Sequence, residues 1–277
     1  MDSLKKKELL KTAADIRIGI IEAVHSAKSG HPGGSLSCAD ILTYLYFEHM
    51  NIDPKDPKKE DRDHFVLSKG HAAPGLYSTL ANRGYFDVSE LKNLRHIGSF
   101  LQGHPDMKHT PGVDMSSGSL GQGISAACGM ALSAKHFGNN FNVYTVLGDG
   151  ELEEGQVWEA AMFAGNKGLS NLTAFIDFNN LQIDGTIDEV NSAKPIDKKF
   201  EAFNWYVITI DGHDFDQIEA ALKEAKTVDK PVAIIANTVK GKGVSFMENQ
   251  VSWHGSAPND EQYETAMAEL KAYKAAL

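Results

Sequence analysis

The 277-residue sequence is 42% hydrophobic and 23% charged, with a formal net charge of −10. That composition supports a sizeable core and argues against a nucleic-acid surface. No apolar run approaches membrane-spanning length, and the charged N-terminus MDSLKKKELLKTAAD has no hydrophobic signal region, so a cytoplasmic chain without membrane attachment is expected.

The chain reads as one α/β domain over 1–277: an N-terminal helical pair (4–50), an α/β core (64–243) and a C-terminal helix (260–277). Apolar residues at Leu9, Ala13, Ile16, Ile20 and Val24 mark an amphipathic helix over 4–28 that Gly30 stops. The stretch Ser29-Gly30-His31-Pro32-Gly33-Gly34 is too rich in glycine for regular structure, and a second helix spans Cys38 to Met50. His64–Leu67 is a short strand running into Ser68-Lys69-Gly70-His71, followed by a helix from Pro74 to Asn82. Residues 95–118 are mostly loop around Gly103-His104-Pro105. Gly118-Ser119-Leu120-Gly121-Gln122-Gly123 then opens a small-residue helix, Ile124 to Lys135; its glycine order and the lack of a preceding strand do not support a dinucleotide fingerprint. Cys38 and Cys128 lie in apolar helical segments and read as reduced core thiols.

The chemistry concentrates between Val143 and Gly185. Val143–Leu147 is a buried strand broken by Gly148-Asp149-Gly150; a helix runs from Gly155 to Lys167, and a second strand, Leu172–Phe178, ends in Asn179-Asn180. This is a βαβ unit, and a right-handed crossover sets its two strand ends side by side. A carboxylate and an amide oxygen brought together there suit a hard cation, and the helix starting near Glu154 favours an anion such as a phosphate. Strands within 203–210 and over Val232–Val239 follow, with a helix at Phe215–Lys226 between them and a last helix from Asp260 to Leu277. The βα order predicts a doubly wound, mainly parallel sheet with helices on both faces. His71, Asp149, Asn179 and Lys240 all follow strands, which puts them at the ligand-binding edge of such a sheet. Lys69, Lys240, Lys242 and the histidines are the candidate cations for an anionic ligand. Four histidines, His31, His71, His104 and His254, have glycine or proline beside them; together they suit hydrogen bonding and proton exchange with a polyhydroxylated substrate.

The pairing of GDGELEEGQVWEA with FIDFNNLQIDG resembles the thiamine diphosphate fingerprint of transketolases, and SGHPG, SKGHA, GHP and SWHGSAP resemble that family's histidine segments in the same order. The resemblance covers about Ala13 to Pro258. It implies thiamine diphosphate as cofactor, with Mg²⁺ (or Ca²⁺ or Mn²⁺) held by Asp149, Asn179 and the backbone carbonyl of Leu181. It implies Gly118, Ser119, Leu120, Gly150, Ile183, His31, His71 and His254 as cofactor contacts. By the same resemblance, His31, His71, His104 and His254 would line the donor-sugar pocket. Lys240 resembles a family lysine near the cofactor, a solvated strand-end lysine being the alternative. Glu154 aligns with a glutamate in a carboxylate network between paired sites, or serves as a helix N-terminal acid; Glu151 and Glu153 are expected to face solvent. His25, His49, His136 and His213 are left structural.

The family's activating glutamate, aromatic clamp and phosphate-binding arginines have no counterpart here, so the resemblance implies an open half-site. It would be completed by a C-terminal transketolase subunit carrying the pyrimidine-binding domain, in an α2β2 assembly acting on sugar phosphates. The rival readings are a subunit of a deoxyxylulose-phosphate-synthase-like or dihydroxyacetone-synthase-like enzyme, and a non-catalytic diphosphate-binding module.

Overall fold

The computed structural model describes residues 1–277. Helix α1 (Ser3–Ala27) buries Leu9, Ala13, Ile16, Ile20 and Val24 along one face. It ends at Lys28, which takes the left-handed φ of 47°, two residues before the expected stop at Gly30. The glycine-rich stretch after it does form regular structure, the short helix α2 (Pro32–Ser37). Proline sits at its first position, where no intrahelical N–H is required, and the whole helix is buried. Gly33 serves close packing: a Cβ added there would lie 2.8 Å from the carbonyl oxygen of Trp253. Helix α3 (Ala39–Tyr44) continues into a wide π turn, Leu45–His49, where one uninterrupted helix was expected.

Strand β1 (His64–Leu67) leads through α4 (Ala73–Arg83) and α5 (Gln122–Phe137) to β2 (Val143–Gly148), and α6 (Gly155–Lys167) joins β2 to β3 (Leu172–Phe178). A small hairpin, β4 (Leu181–Gln182) with β5 (Gly185–Thr186), and two short helices, α7 (Ile187–Val190) and α8 (Ile196–Ala202), come next. None of these was expected from the residue pattern, although Thr186 and Glu189 form a reciprocal capping box at the start of α7. Strand β6 (Tyr206–Asp211), helix α9 (Phe215–Ala225), strand β7 (Val232–Asn237) and helix α10 (Asp260–Ala276) complete the chain.

Five strands form one parallel sheet in the order β1-β2-β3-β7-β6. The chain steps from β1 to β3 in one direction and from β6 to β7 in the other, so right-handed crossovers send their helices to opposite faces. The strand side chains alternate accordingly. Phe65, Tyr144, Val146, Phe175 and Ile234 pack with α3, α4 and α9; Val66, Leu147, Ala174, Ile176 and Ala233 pack with α5 and α6. A further layer, α1 against α10, closes over Leu36, Val244 and Met247. The direction of winding reverses between β3 and β7, and a crevice at their carboxyl ends is where a doubly wound sheet takes its ligand.

One buried ionic group ties the segment after β7 to the helical layer. Arg17 of α1 donates from Nη1 and Nη2 to the Asp40 carboxylate of α3 at 3.0 and 2.6 Å, and from Nε to the Lys242 carbonyl at 3.1 Å. The Nδ1 of His213 lies 2.7 Å from Asp40, while its Nε2 accepts the Val239 amide at 2.9 Å. His213 is structural, as expected. Burial pushes the Asp40 carboxyl up, but Arg17 and His213 hold it down at about 2. Removing one member leaves a buried charge without its partner. Asp40→Ala is therefore expected to lower unfolding free energy by about 3–5 kcal/mol, read from urea denaturation; a loss below about 1 kcal/mol would mean that the pair is no more than a surface ion pair energetically.

Candidate active site

The carboxyl ends of β2, β3 and β7 open onto a pocket of about 270 Å³. Nine of the expected site residues line it or lend it their backbone: His71, Leu120, Asp149, Gly150, Asn179, Leu181, Ile183, Lys240 and His254. Asp149 ends the turn after β2. Its Oδ1 accepts the Gly150 amide at 2.9 Å and its Oδ2 accepts the Asn180 amide, so the carboxylate bridges the ends of β2 and β3. It is 2% exposed. Burial raises its pKa, and the nearby charge of Asp177 raises it further; a cation would relieve both effects.

Asn179 uses both ends of its amide. Nδ2 donates to Asp177 at 3.4 Å, while Oδ1 accepts the Leu181 amide at 3.1 Å. The Leu181 carbonyl accepts from Lys240 Nζ at 3.0 Å, and Nζ also lies 3.0 Å from His254 Nδ1. Lys240 is 2% exposed, which removes the solvated alternative. Burial lowers its pKa.

One acid and one lysine behave differently from the sequence reading. Glu151, expected at the surface, is 2% exposed. Its carboxylate accepts from Ser68 Oγ and from the amides of Gly121 and Gly148 at 2.9 and 3.0 Å, joining the loop before α5 to the end of β2. Glu153 stays partly exposed and accepts from Gln182 at 2.6 Å. Lys69 is not a free cation for a ligand: it donates to the Gly34 carbonyl at 2.6 Å and forms a buried ion pair with Asp177. Asp177 was missed entirely. The available signal was a carboxylate inside LTAFIDF, because a charge in a strand covered on both faces has to be paired.

Three imidazoles form one wall. The ring centroids of His31, His71 and His254 lie 5.1–5.6 Å apart. Burial depresses all three: His31 to about 4, helped by Arg95, and His254 to about 3, helped by Lys240. His71 lies well below its ordinary value through burial, with Lys69 adding to the effect. The wall is therefore neutral at pH 7. Each ring can accept one hydrogen bond and donate another, whereas proton exchange near neutrality through the cationic form, as read from the sequence, is disfavoured. His104 stands apart on an exposed loop, with its ring against Gly118: a Cβ there would lie 3.5 Å from His104 Cγ. Gly118, Ser119 and His104 are not among the residues that line the pocket, whereas Leu120, which follows the first two, is. Glu154 is exposed at the N-cap of α6, makes no side-chain capping hydrogen bond, and lies beside Gly121.

The residues present fit a cation-bridged diphosphate. Asp149, Asn179 Oδ1 and the Leu181 carbonyl are hard oxygen donors, and no group of three or more His, Cys, Asp or Glu side chains offers a competing metal centre. At Gly34 and Gly148 an added methyl would make only ordinary contacts, 3.6 Å or longer, so glycine there leaves pocket volume for a ligand. The Nδ1 of His31 is buried without a protein partner.

This fold and site define a thiamine-diphosphate-type α/β domain. Residues 9–273 match the family described as "Transketolase, thiamine diphosphate binding domain". The chain belongs to the transketolase family. It is 47% identical over 267 residues to the 6-deoxy-6-sulfo-D-fructose transketolase subunit of Clostridium sp. (strain MSTE9), covering 95% of this chain and 96% of that one. It is 42% identical over 255 residues to an apulose-4-phosphate transketolase subunit of Phocaeicola vulgatus, covering 91% and 89%. The solved transketolase of Campylobacter jejuni superposes with a TM-score of 0.89 at 34% identity; the match spans 97% of this chain and 45% of that one.

The electrostatics of the wall are directly measurable. In the folded chain, the His31 imidazole is expected to titrate with a midpoint of about 4 rather than 6.5, followed by ¹H–¹⁵N NMR. Its contribution to stability is in place above pH 6.5 and falls as pH drops toward 4, because only the unfolded chain takes up the proton in that window. A folded-state midpoint near 6.5 would contradict the neutral wall.

Proposed function

We propose that this chain is the diphosphate-binding subunit of a two-component transketolase that moves a two-carbon ketol unit reversibly between a ketose phosphate and an aldose phosphate. Near full-length likeness to two relatives named as transketolase subunits carries the reading. Both names specify a ketol-transferase substrate bearing an anionic group, a sulfo or a phosphate group, and the same substrate class is assigned here.

The site residues take the following roles. Asp149, Asn179 and the Leu181 carbonyl hold Mg²⁺, or Ca²⁺ or Mn²⁺, against the diphosphate. Gly150 offers its backbone to the phosphates, and Lys240 supplies the positive charge that a chain of net charge −10 otherwise lacks there. Gly118, Ser119, Leu120 and Ile183 border the ring portion of the cofactor. When bound, thiamine diphosphate supplies the carbanion chemistry that breaks and forms the carbon–carbon bond. The neutral His31, His71 and His254 orient the sugar hydroxyls and shuttle hydrogen bonds, His104 closes the sugar side, and Glu154 faces the neighbouring site in the assembly.

The pocket acids support dependence on a partner. Asp149 and Glu151 are the carboxylates lining it; Asp149 is assigned to the cation, and Glu151 is taken up by Ser68 and the amides of Gly121 and Gly148. Neither is free to activate an aminopyrimidine, so that acid comes from a pyrimidine-domain subunit, in an α2β2 arrangement. A cytoplasmic location goes with sugar-phosphate substrates.

The test is ketol transfer from xylulose 5-phosphate to ribose 5-phosphate with thiamine diphosphate and Mg²⁺ present. The isolated chain should show no turnover, and addition of a pyrimidine-domain subunit should restore it. Robust turnover by the 277-residue chain alone would contradict the half-site assignment.

A further inference from the structure

We infer that Arg95 is a positioning residue for the sugar side of the site: it clamps the loop carrying His31 to the loop carrying His104. This rests on the proposed ketol-transfer role of those histidines. Nη1 of Arg95 donates to Ser29 Oγ at 3.0 Å, two residues before His31. Nη2 makes a long contact of 3.5 Å with the carbonyl of Gly103, the residue before His104. The guanidinium plane lies directly on Gly103: a Cβ added there would sit 3.1 Å from both Cζ and Nε. Glycine in Gly103-His104-Pro105 is thereby explained by the arginine, independently of any ligand.

The backbone at Arg95 points the same way. It is held at a φ of 59°, a region where an arginine is unfavourable and glycine or asparagine would be relaxed, and its amide donates to the Leu101 carbonyl at 2.8 Å to close the loop. Its Nε is buried without an acceptor. A residue that tolerates both a strained backbone and an unpaired donor is kept for what its side chain holds in place. The His104 loop is also pinned from beneath, where the Tyr77 hydroxyl donates to the His104 carbonyl at 2.9 Å. Tyr77 fixes the height of the loop above α4, and Arg95 fixes its distance from the His31 wall. Arg95 also lowers the pKa of His31 and His104, burial being the larger cause for each. The same clamp thus favours the neutral state of both rings.

Arg95→Asn tests this without a folding penalty, because asparagine accepts the left-handed backbone. In the isolated chain, the imidazole ¹H–¹⁵N signals of His31 and His104 should shift while those of His25 and His136 stay in place. In the enzyme reconstituted with its pyrimidine-domain subunit, kcat/KM for the donor ketose should fall by about tenfold or more, with thiamine diphosphate affinity and thermal stability unchanged. Gly103→Ala, which keeps the cation but displaces the guanidinium, should reproduce the kinetic loss. Unmoved His31 and His104 signals, or a loss of cofactor affinity in step with activity, would overturn the clamp. A wild-type complex with no ketol transfer would instead overturn the proposed function, and the NMR comparison would still decide whether Arg95 positions the two loops.

Discussion

The site depends on a carboxylate buried where a sheet normally admits none. Asp177 sits near the end of β3, the middle strand, with no exposed surface. Burial pushes its pKa up, but the Lys69 charge, with hydrogen bonds from Lys69, Ser37 and Thr238, holds the group ionised. Such a pair contributes little net stability, since desolvating both ions offsets most of their attraction. Its value is geometric. It joins α2, the segment after β1, the end of β3 and the segment after β7 at one point, directly behind the pocket. It also receives Asn179 Nδ2 and so turns the opposite end of that amide, Oδ1, toward the Leu181 side.

Around this anchor the charges are segregated. The edge formed by Asp149, Asn179 and Leu181 offers oxygen atoms, and the buried Lys240 spans from it to His254. The histidine wall is kept neutral by burial and by positive neighbours. A diphosphate with its cation suits the first region, and sugar hydroxyls, which both donate and accept, suit the second. The division follows from topology: the first region is built from the ends of β2, β3 and β7, while in the second His71 follows β1 and His31 and His254 come from segments outside the sheet.

Much of this was legible in the sequence because it follows from period and punctuation. The strands over 64–67, 143–147 and 172–178 are apolar runs closed by polar or glycine residues, and the doubly wound order follows from their alternation with helices. GDG and the Asn pair announced the strand-end oxygens. What stayed hidden depends on pairing across the fold. Nothing local distinguishes the buried Glu151 from the partly exposed Glu153, since burial is decided by Ser68 and Gly121, which lie far off in sequence. Lys69 looked available because its partner lies 108 residues away. The α2 helix was concealed by its glycines, of which Gly33 packs closely against Trp253 and Lys240 and Gly34 borders the pocket, rather than either reversing the chain. Arg95 gave no signal at all, because neither its backbone strain nor its contacts with Ser29 and Gly103 can be read from residue type.

The central claim is that Asp149, Asn179 and the Leu181 carbonyl hold a divalent cation against a diphosphate. Crystals grown with thiamine diphosphate and Mn²⁺, measured at the manganese absorption edge, test it most directly. The account predicts an anomalous peak bounded by those three oxygens and by diphosphate oxygens, and its loss in Asp149→Ala. A cofactor bound with no metal at that position, or a metal held by the histidine wall instead, would contradict it.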